Sequence, residues 1–268
     1  MSDDQLPPAD DRLAFRRGVV RPMECISEGW RLIKDQYWLF LGITVVGVLI
    51  AGLVPFGILA GPMMCGIYYC LFRQFRGRPV KFEMLFKGFD DFAQSLIATL
   101  IMVGVMLAIF LPVYILFFVG LFANMPKPAP GGPGAGPPPS PGAGLFATIG
   151  LFYLAILVIV IVVQIFFFFV YPLITERKLT GVQAITTSCR AGMGNFGGVL
   201  GLLLLITLLQ LAGSLACCIG QFFVMPIHYA AVAVAYRRVF ESDMPEPPLV
   251  QDYGDPDVQP LPPERGRD

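Results

Sequence analysis

The sequence predicts an all-α, polytopic membrane protein that crosses the bilayer six times. Its composition supports this fold class, because 56% of the residues are hydrophobic and 14% are charged, whereas about a quarter are charged in soluble domains. A spanning helix needs about 20 apolar residues, and the chain contains four uncharged runs that are much longer. Short basic segments separate these runs, which are Tyr37–Phe72, Phe92–Pro126, Pro128–Thr175 and Ala191–Tyr236.

The first and fourth runs are each too long for one helix. At about 1.5 Å per residue, the first would extend about 54 Å, although the hydrocarbon core of a bilayer is about 30 Å thick. We therefore predict a turn at Gly52–Gly57 in the first run and another near Cys217–Gly220 in the fourth. The second and third runs flank Lys127 and a Pro/Gly tract, and each supplies one span.

The distribution of cations predicts the orientation of these six helices. Of the 19 Lys and Arg residues, only Lys127 falls on the side that we assign to the outside. Basic residues near the ends of spans remain preferentially in the cytoplasm. Both termini are therefore expected to be cytoplasmic.

Composition also divides the chain into a membrane domain, residues 21–240, and three segments that we expect to be disordered. Residues 1–20 and 241–268 would be cytoplasmic, and the Pro/Gly tract at 125–144 would form an extracytoplasmic loop. These segments contain too few apolar side chains to offset the entropy that ordering would cost.

Each pair of spans follows a short basic segment with the pattern of an amphipathic helix. Cys25–Tyr37 aligns without a gap with Ala184–Phe196, and Gly77–Phe92 matches the length of Gly181–Phe196. The first and third hairpins correspond at one offset, which pairs Pro62 with Pro226, Phe72 with Tyr236 and Arg73 with Arg237. We therefore predict three repeats, each an interfacial helix in the headgroup plane followed by a hairpin. The alternative is that short helices before a span simply share a composition.

A glycine-rich stretch, Gly192–Gly197, has the spacing of a dinucleotide-binding motif. That chemistry requires a preceding strand and a helix N-terminus that faces pyrophosphate, whereas here a basic segment precedes the glycines and a span follows them. Small residues four apart instead allow helices to approach closely in lipid. The glycines expected at such contacts are Gly194, Gly197, Gly198 and Gly201.

The single histidine, His228, lies in the sixth predicted span, two residues after Pro226. An ionisable residue within a span is a candidate functional group, and it could line a path for a solute together with Pro226 and Pro62. A copper(I) site is a second hypothesis, and a histidine bonded to a neighbouring carbonyl is the simpler third. The copper ligands would come from Met63, Met64, Cys65, Met225, His228 and the Cys217–Cys218 pair. Their spacing matches no established pattern, so we expect no cofactor.

The strongest signal for an interaction surface is a set of cations at the predicted cytoplasmic ends of the spans. Each Lys or Arg near an anionic leaflet contributes about 1 kcal/mol of attraction, although ordinary membrane orientation explains much of this charge. This basic collar consists of Arg73, Arg76, Arg78, Arg177, Lys178, Arg190, Arg237 and Arg238.

The remaining polar residues argue against several classes of function. We find no nucleophile and base in a plausible catalytic arrangement, so the chain is not expected to be an enzyme. No carboxylate lies within a span, which argues against an ion-coupled transporter. The net charge of zero gives no reason to expect nucleic acid as a partner.

Three short stretches carry a resemblance to known proteins: Ile26–Arg31, Gly61–Tyr69 and Tyr171–Leu179. They resemble a broad group of bacterial six-span integral membrane proteins, related to the membrane domain of some glycerophosphodiester phosphodiesterases. The resemblance covers most of residues 20–240 and implies a six-span fold in the bacterial inner membrane. The catalytic part of that family is a separate soluble barrel with metal-binding acids, which this sequence does not encode, so we transfer no activity.

Together these observations favour a non-enzymatic inner-membrane protein that engages membrane lipids or a membrane-protein partner through the basic collar. A homo-oligomer is the other partner that the sequence leaves open. A passive transporter or channel for a small solute or lipid is the alternative, and the helices that contain Pro62 and Pro226 would then line its path.

Overall fold

The computed structural model describes residues 14–53, 57–123, 143–216 and 220–240. Within these ranges the chain is helical and contains no strand, so the prediction of an all-α fold is confirmed. Two 3-10 segments, Lys34–Gln36 and Phe82–Asp91, lie directly before α2 and α4. The α-helices are α1 (Pro22–Ile33), α2 (Tyr37–Leu53), α3 (Ala60–Phe75), α4 (Phe92–Ala123), α5 (Ala143–Phe167), α6 (Val170–Arg177), α7 (Gly181–Gly194), α8 (Phe196–Ala216) and α9 (Gly220–Phe240).

Breaks between helices coincide with both predicted turns. Helix α2 ends at Leu53 and α3 begins at Ala60, while α8 ends at Ala216 and α9 begins at Gly220. Residues 54–56 and 217–219 lie outside the described residues, as do 124–142 of the predicted Pro/Gly loop and the tail from 241 onward.

Four helical stretches are long and apolar enough to cross a membrane: Pro22–Leu53, Phe82–Ala123, Gly144–Arg177 and Phe196–Leu215. Helices α3 and α9 do not belong to this set. Helix α3 has only 16 residues, and α9 combines many alanines with His228 and two arginines. Other helices cover both of them, and every residue from Ala230 to Tyr236 is buried. Because they are shielded in this way, α3 and α9 need fewer large apolar side chains than helices that face lipid.

The core lies where α3, α6 and α9 meet, and aromatic side chains fill it. The ring centroids of Phe72 and Tyr236 are 5.3 Å apart, and those of Phe169 and Phe240 are 5.5 Å apart. All four side chains are buried. Burial of large aromatic rings is a major source of packing energy, so these contacts join the three helices.

Large apolar side chains cover the outside of α4, α5 and α8. An exposed apolar surface of this extent is unusual for a soluble monomer and typical of a surface that another apolar phase covers. Together with the four apolar helices, it indicates a membrane protein. The exposed side chains include Leu107, Leu111, Leu116, Phe122, Leu151, Leu154, Leu208 and Leu215.

The segment that precedes each hairpin packs on a different hairpin. Helix α1 precedes α2 and α3 but packs mainly against α9 and α8. The 3-10 segment Phe82–Asp91 precedes α4 and α5 but packs mainly against α3, and α7 precedes α8 and α9 but packs against α5, α6 and α4. These three lead-in segments therefore follow one cyclic order, in which each contacts the preceding hairpin.

A glycine allows each lead-in segment to approach its neighbour closely. A Cβ added to Gly29 would lie 2.8 Å from the backbone nitrogen of Ala231, and one added to Gly192 would lie 2.6 Å from the carbonyl oxygen of Ile165. A Cβ on Gly88 would lie 1.9 Å from a carbonyl oxygen of α3. Since carbon atoms do not approach backbone atoms this closely, all three contacts require glycine.

Three of the four glycines predicted at helix contacts lie against the N-terminal segment and the start of α1. A Cβ on Gly198 would lie 2.4 Å from the Val20 carbonyl oxygen, while Gly194 and Gly201 would approach side chains of residues 15 and 22 at 2.9 Å. Gly197 has nothing within 4 Å of its added Cβ. Gly194 and Gly198 therefore lie close to the N-terminal segment, and Gly201 lies close to the first residue of α1.

Candidate functional site

The described N-terminal residues, 14–21, form one wall of the candidate site. The side chain of Asn195, which is 2% exposed, forms hydrogen bonds to the backbone of this segment. Its Nδ2 donates to the Arg16 carbonyl oxygen at 2.8 Å, and its Oδ1 accepts from the Val19 backbone nitrogen at 3.1 Å. The Arg16 backbone nitrogen also donates to the Val239 carbonyl oxygen at 2.7 Å. Residues 16 and 19, which lie in the N-terminal segment predicted to be disordered, are therefore hydrogen-bonded to Asn195 and to the end of α9.

A cleft of about 550 Å³ opens between this segment, α1 and the C-terminal ends of α3 and α9. Of the residues that the structure describes, four arginines and two glutamates line it, and these six side chains sum to two positive charges. Phe75 and Val234 supply apolar surface on one side. We call it the basic cleft, and its charged residues are Arg16, Arg21, Glu24, Glu28, Arg237 and Arg238.

Arg238 connects α9 to α1 within the cleft. Its Nη1 donates to Glu24 Oε2 at 2.7 Å, and its Nη2 donates to Glu28 Oε1 at 2.6 Å. Burial opposes the charge of this guanidinium, but the hydrogen bonds to Glu24 and Glu28 outweigh burial and raise the pKa of Arg238 above its ordinary value. Arg21 Nη1 also donates to Glu24 Oε1 at 3.1 Å. Both carboxylates are therefore bonded to arginines.

The contacts of α1 show that it runs antiparallel to α9. Near the start of α1, Glu24 reaches Arg238 at the end of α9. Near the middle of the two helices, Gly29 of α1 lies against Ala231 of α9. Beyond the end of α1, the Tyr37 hydroxyl donates to a carbonyl oxygen near the start of α9 at 2.6 Å. This alignment places the basic cleft at the C-terminal end of α9.

Two arginines of the basic collar stack on aromatic rings at helix ends. The guanidinium carbon of Arg237 lies 4.5 Å from the ring centroid of Phe75, so the end of α9 is held against the end of α3. The guanidinium carbon of Arg177 lies 5.2 Å from the ring centroid of Phe240, and its Nη2 donates to the Phe240 carbonyl oxygen. Cation–π contacts of this kind orient the guanidinium plane.

Three other members of the collar, Arg73, Arg76 and Lys178, contact groups of the protein itself. Arg73 is 7% exposed, and its Nε donates to a carbonyl oxygen in the turn after α3 at 3.1 Å. Arg76 forms an ion pair with Glu176, and Lys178 Nζ lies 2.7 Å from Asp91 Oδ2. The Arg73 side chain is thus enclosed by protein, and its predicted contact with lipid or a partner stays a prediction.

The remaining two collar residues lie away from the cleft. Arg190 on α7 is exposed, and Arg78 after α3 is partly exposed. The structure thus divides the collar into cleft residues, residues that brace helix ends and outlying cations.

The three residues predicted to line a path lie in or near the buried centre. Pro62 and Pro226 are buried within α3 and α9. His228 is partly buried, and its Nδ1 lies 3.2 Å from Nε2 of Gln210 on α8. Their role in transport stays a prediction.

The residues of the copper hypothesis are only partly described. Met63 and Cys65 are buried in α3, whereas Cys217 and Cys218 lie outside the described residues. Among the residues that the structure describes, no three His, Cys, Asp or Glu side chains form a group that could hold a metal ion.

Comparisons of the chain with models of protein families, with curated proteins and with solved structures find no match. The resemblance to bacterial six-span proteins stays a prediction, and the function has to be inferred from the geometry of the site.

Two patterns in the sequence indicate parts of the cleft. Glu24 and Glu28 are four residues apart, so they lie on one face of α1, and the pair Arg237–Arg238 ends the last predicted span. Nothing in the sequence indicated that these groups meet, or that Asn195 would hold the N-terminal segment against them.

Proposed function

We propose that this chain is a non-enzymatic, six-span protein of the bacterial inner membrane whose basic cytoplasmic surface engages anionic lipids. The observation that carries the proposal is the basic cleft, where both carboxylates are bonded to arginines and two positive charges are in excess. A protein partner is the second form of this proposal, and it would have to present an acidic surface to the same residues.

The six-span topology requires α3 and α9 to cross the membrane in addition to the four apolar stretches. Because α1 runs antiparallel to α9, it would then lie along that helix rather than in the headgroup plane. If α3 and α9 also cross the membrane, each hairpin returns the chain to the side from which it started. The N-terminal segment and the ends of α3, α6 and α9 then share one side. The density of cations assigns that side to the cytoplasm, together with both termini.

The cyclic packing of the lead-in segments supports three repeats. Each segment contacts the preceding hairpin, and each does so through a glycine at close approach. Arg73, Arg177 and Arg237 occupy similar places, since each lies near the end of the helical stretch that completes its hairpin.

Anionic lipid fits the surface better than neutral lipid does. The cytoplasmic leaflet carries negative charge, and each nearby Lys or Arg contributes about 1 kcal/mol of attraction. The exposed apolar faces of α4, α5 and α8 place lipid around the protein, so headgroups are the ligands at the highest local concentration.

Fluorescence of one tryptophan placed beside the cleft offers a direct test. The two native tryptophans, Trp30 and Trp38, lie near Tyr37 and Phe223 at the other end of α9, so both are replaced by phenylalanine. Met23, which is 71% exposed and precedes Glu24, is replaced by tryptophan. The protein would be reconstituted with brominated phosphatidylglycerol or brominated phosphatidylcholine, which quench indole fluorescence on contact. We expect stronger quenching by the anionic lipid at equal mole fraction. A variant with Gln at Arg21, Arg78, Arg190 and Arg237 should lose this preference. Equal quenching by both lipids in the absence of these four substitutions would contradict the proposal.

A further inference from the structure

We infer that the basic cleft is a discrete site for one phosphate group, supplied by the headgroup of an anionic phospholipid. This inference rests on the proposed function and sharpens it, because it replaces a general attraction between surfaces by one site with named ligands. The ligand class is a phosphate ester that carries negative charge.

The charges of the cleft favour an anion. Arg238 uses both of its terminal nitrogens on Glu24 and Glu28, so these carboxylates are neutralised in part by the protein itself. Arg16, Arg21 and Arg237 bring further positive charge to the same cleft. Guanidinium groups match phosphate oxygens in geometry as well as in charge.

Two of these arginines are positioned for a ligand in different ways. The Arg237 guanidinium is oriented by the Phe75 ring, 4.5 Å away, so its direction is set before an anion binds. The Arg21 side chain is 74% exposed and donates to Glu24. It can turn toward a bound group, because Glu24 keeps its bond to Arg238. One arginine therefore provides a fixed contact and the other an adaptable one.

The size and the lining of the cleft favour a headgroup over a bare phosphate ion. Its volume of about 550 Å³ lies within the range of small-molecule sites, about 300–1,000 Å³, and exceeds what inorganic phosphate needs. Phe75, which is partly exposed, adds apolar surface beside the arginines. A glycerol backbone attached to the phosphate would contact that surface.

Native mass spectrometry of the full chain in detergent micelles tests the site when phosphatidylglycerol or phosphatidylcholine is titrated. We expect the first phosphatidylglycerol to bind at least about tenfold more tightly than phosphatidylcholine. The double variant Arg21→Gln/Arg237→Gln should weaken this first event roughly thirtyfold, since two nearby arginines are lost. The matched control, Arg78→Gln/Arg190→Gln, removes two collar charges outside the cleft and should stay within about threefold, because distant exposed charges are screened.

The outcomes separate this inference from the proposed function. If both double variants weaken binding equally, the discrete site is wrong and the diffuse surface stands. If phosphatidylglycerol shows no preference over phosphatidylcholine in the wild-type protein, both proposals fail. Glycerol phosphate and inorganic phosphate serve as soluble competitors, and displacement of the lipid at similar concentrations would assign the cleft to a soluble phosphate and overturn the lipid headgroup. The variant Arg237→Lys separates charge from geometry, and we expect it to retain only part of the affinity.

Discussion

At the scale of single residues, several close contacts of this fold require glycine, because a Cβ atom would not fit between the two backbones. Gly88 in the 3-10 segment lies against the backbone of Pro62 and Gly66, and no other residue type fits there. The sequence shows a glycine at this position but does not show what lies beside it. Asn195 presents the same limit, because an isolated asparagine before a span gives no sign that it binds the backbone of residues 16 and 19.

Substitution of Gly88 by Ala should destabilise the protein by about 1–3 kcal/mol, the usual cost of overpacking. The added methyl group would meet a carbonyl oxygen that cannot move without shifting α3. Gly104→Ala is the matched control, because its added Cβ has nothing within 4 Å and alanine favours a helix interior by about 0.5–1 kcal/mol. Thermal unfolding in detergent measures both variants. Equal melting temperatures for Gly88→Ala and Gly104→Ala would show that the close contact does not exist.

At the scale of elements, periodicity and run length predicted most helices but not their partners. The uncharged runs placed the turns before α3 and α9, since a helix longer than the bilayer has to end or fold back. The amphipathic pattern of α1 indicated that one face would be buried. It did not indicate that α9, almost the whole chain away in sequence, would cover it, because a pattern of apolar residues describes a face and not its complement.

Two arginines, Arg31 and Arg238, contact Glu28. Because only Arg238 connects α9 to α1, we predict that its loss lowers the free energy of unfolding more. Arg238→Gln removes two hydrogen bonds to carboxylates and should cost about 2 kcal/mol. Arg31→Gln removes only an exposed contact to Glu28 at 4.0 Å and should cost no more than about 0.5 kcal/mol. Denaturant titration followed by tryptophan fluorescence compares the two, because Trp30 lies on α1. A larger loss for Arg31→Gln would contradict the proposed role of Arg238.

At the scale of the whole molecule, the composition predicted a helical membrane protein, and the structure agrees with four helices that are apolar enough to span. It could not predict that the other two, α3 and α9, lie at the centre and are covered by their neighbours. Hydropathy reports how a side chain partitions between water and lipid, so a helix that contacts mainly protein is not described well by it. The number of spans therefore depends on α3 and α9, which hydropathy does not assign to the membrane.

The number of spans decides on which side the basic cleft and the collar lie, and a topology experiment tests it most directly. If only α2, α4, α5 and α8 crossed the membrane, every connection between them would change sides relative to the six-span arrangement. Single cysteines at positions 78, 127 and 190, in a background without the native cysteines, can be labelled in intact cells with an impermeant maleimide. We predict labelling of Lys127→Cys from outside, and labelling of Arg78→Cys and Arg190→Cys only after permeabilisation. The reverse pattern would place these arginines outside and contradict the proposed engagement of cytoplasmic lipid.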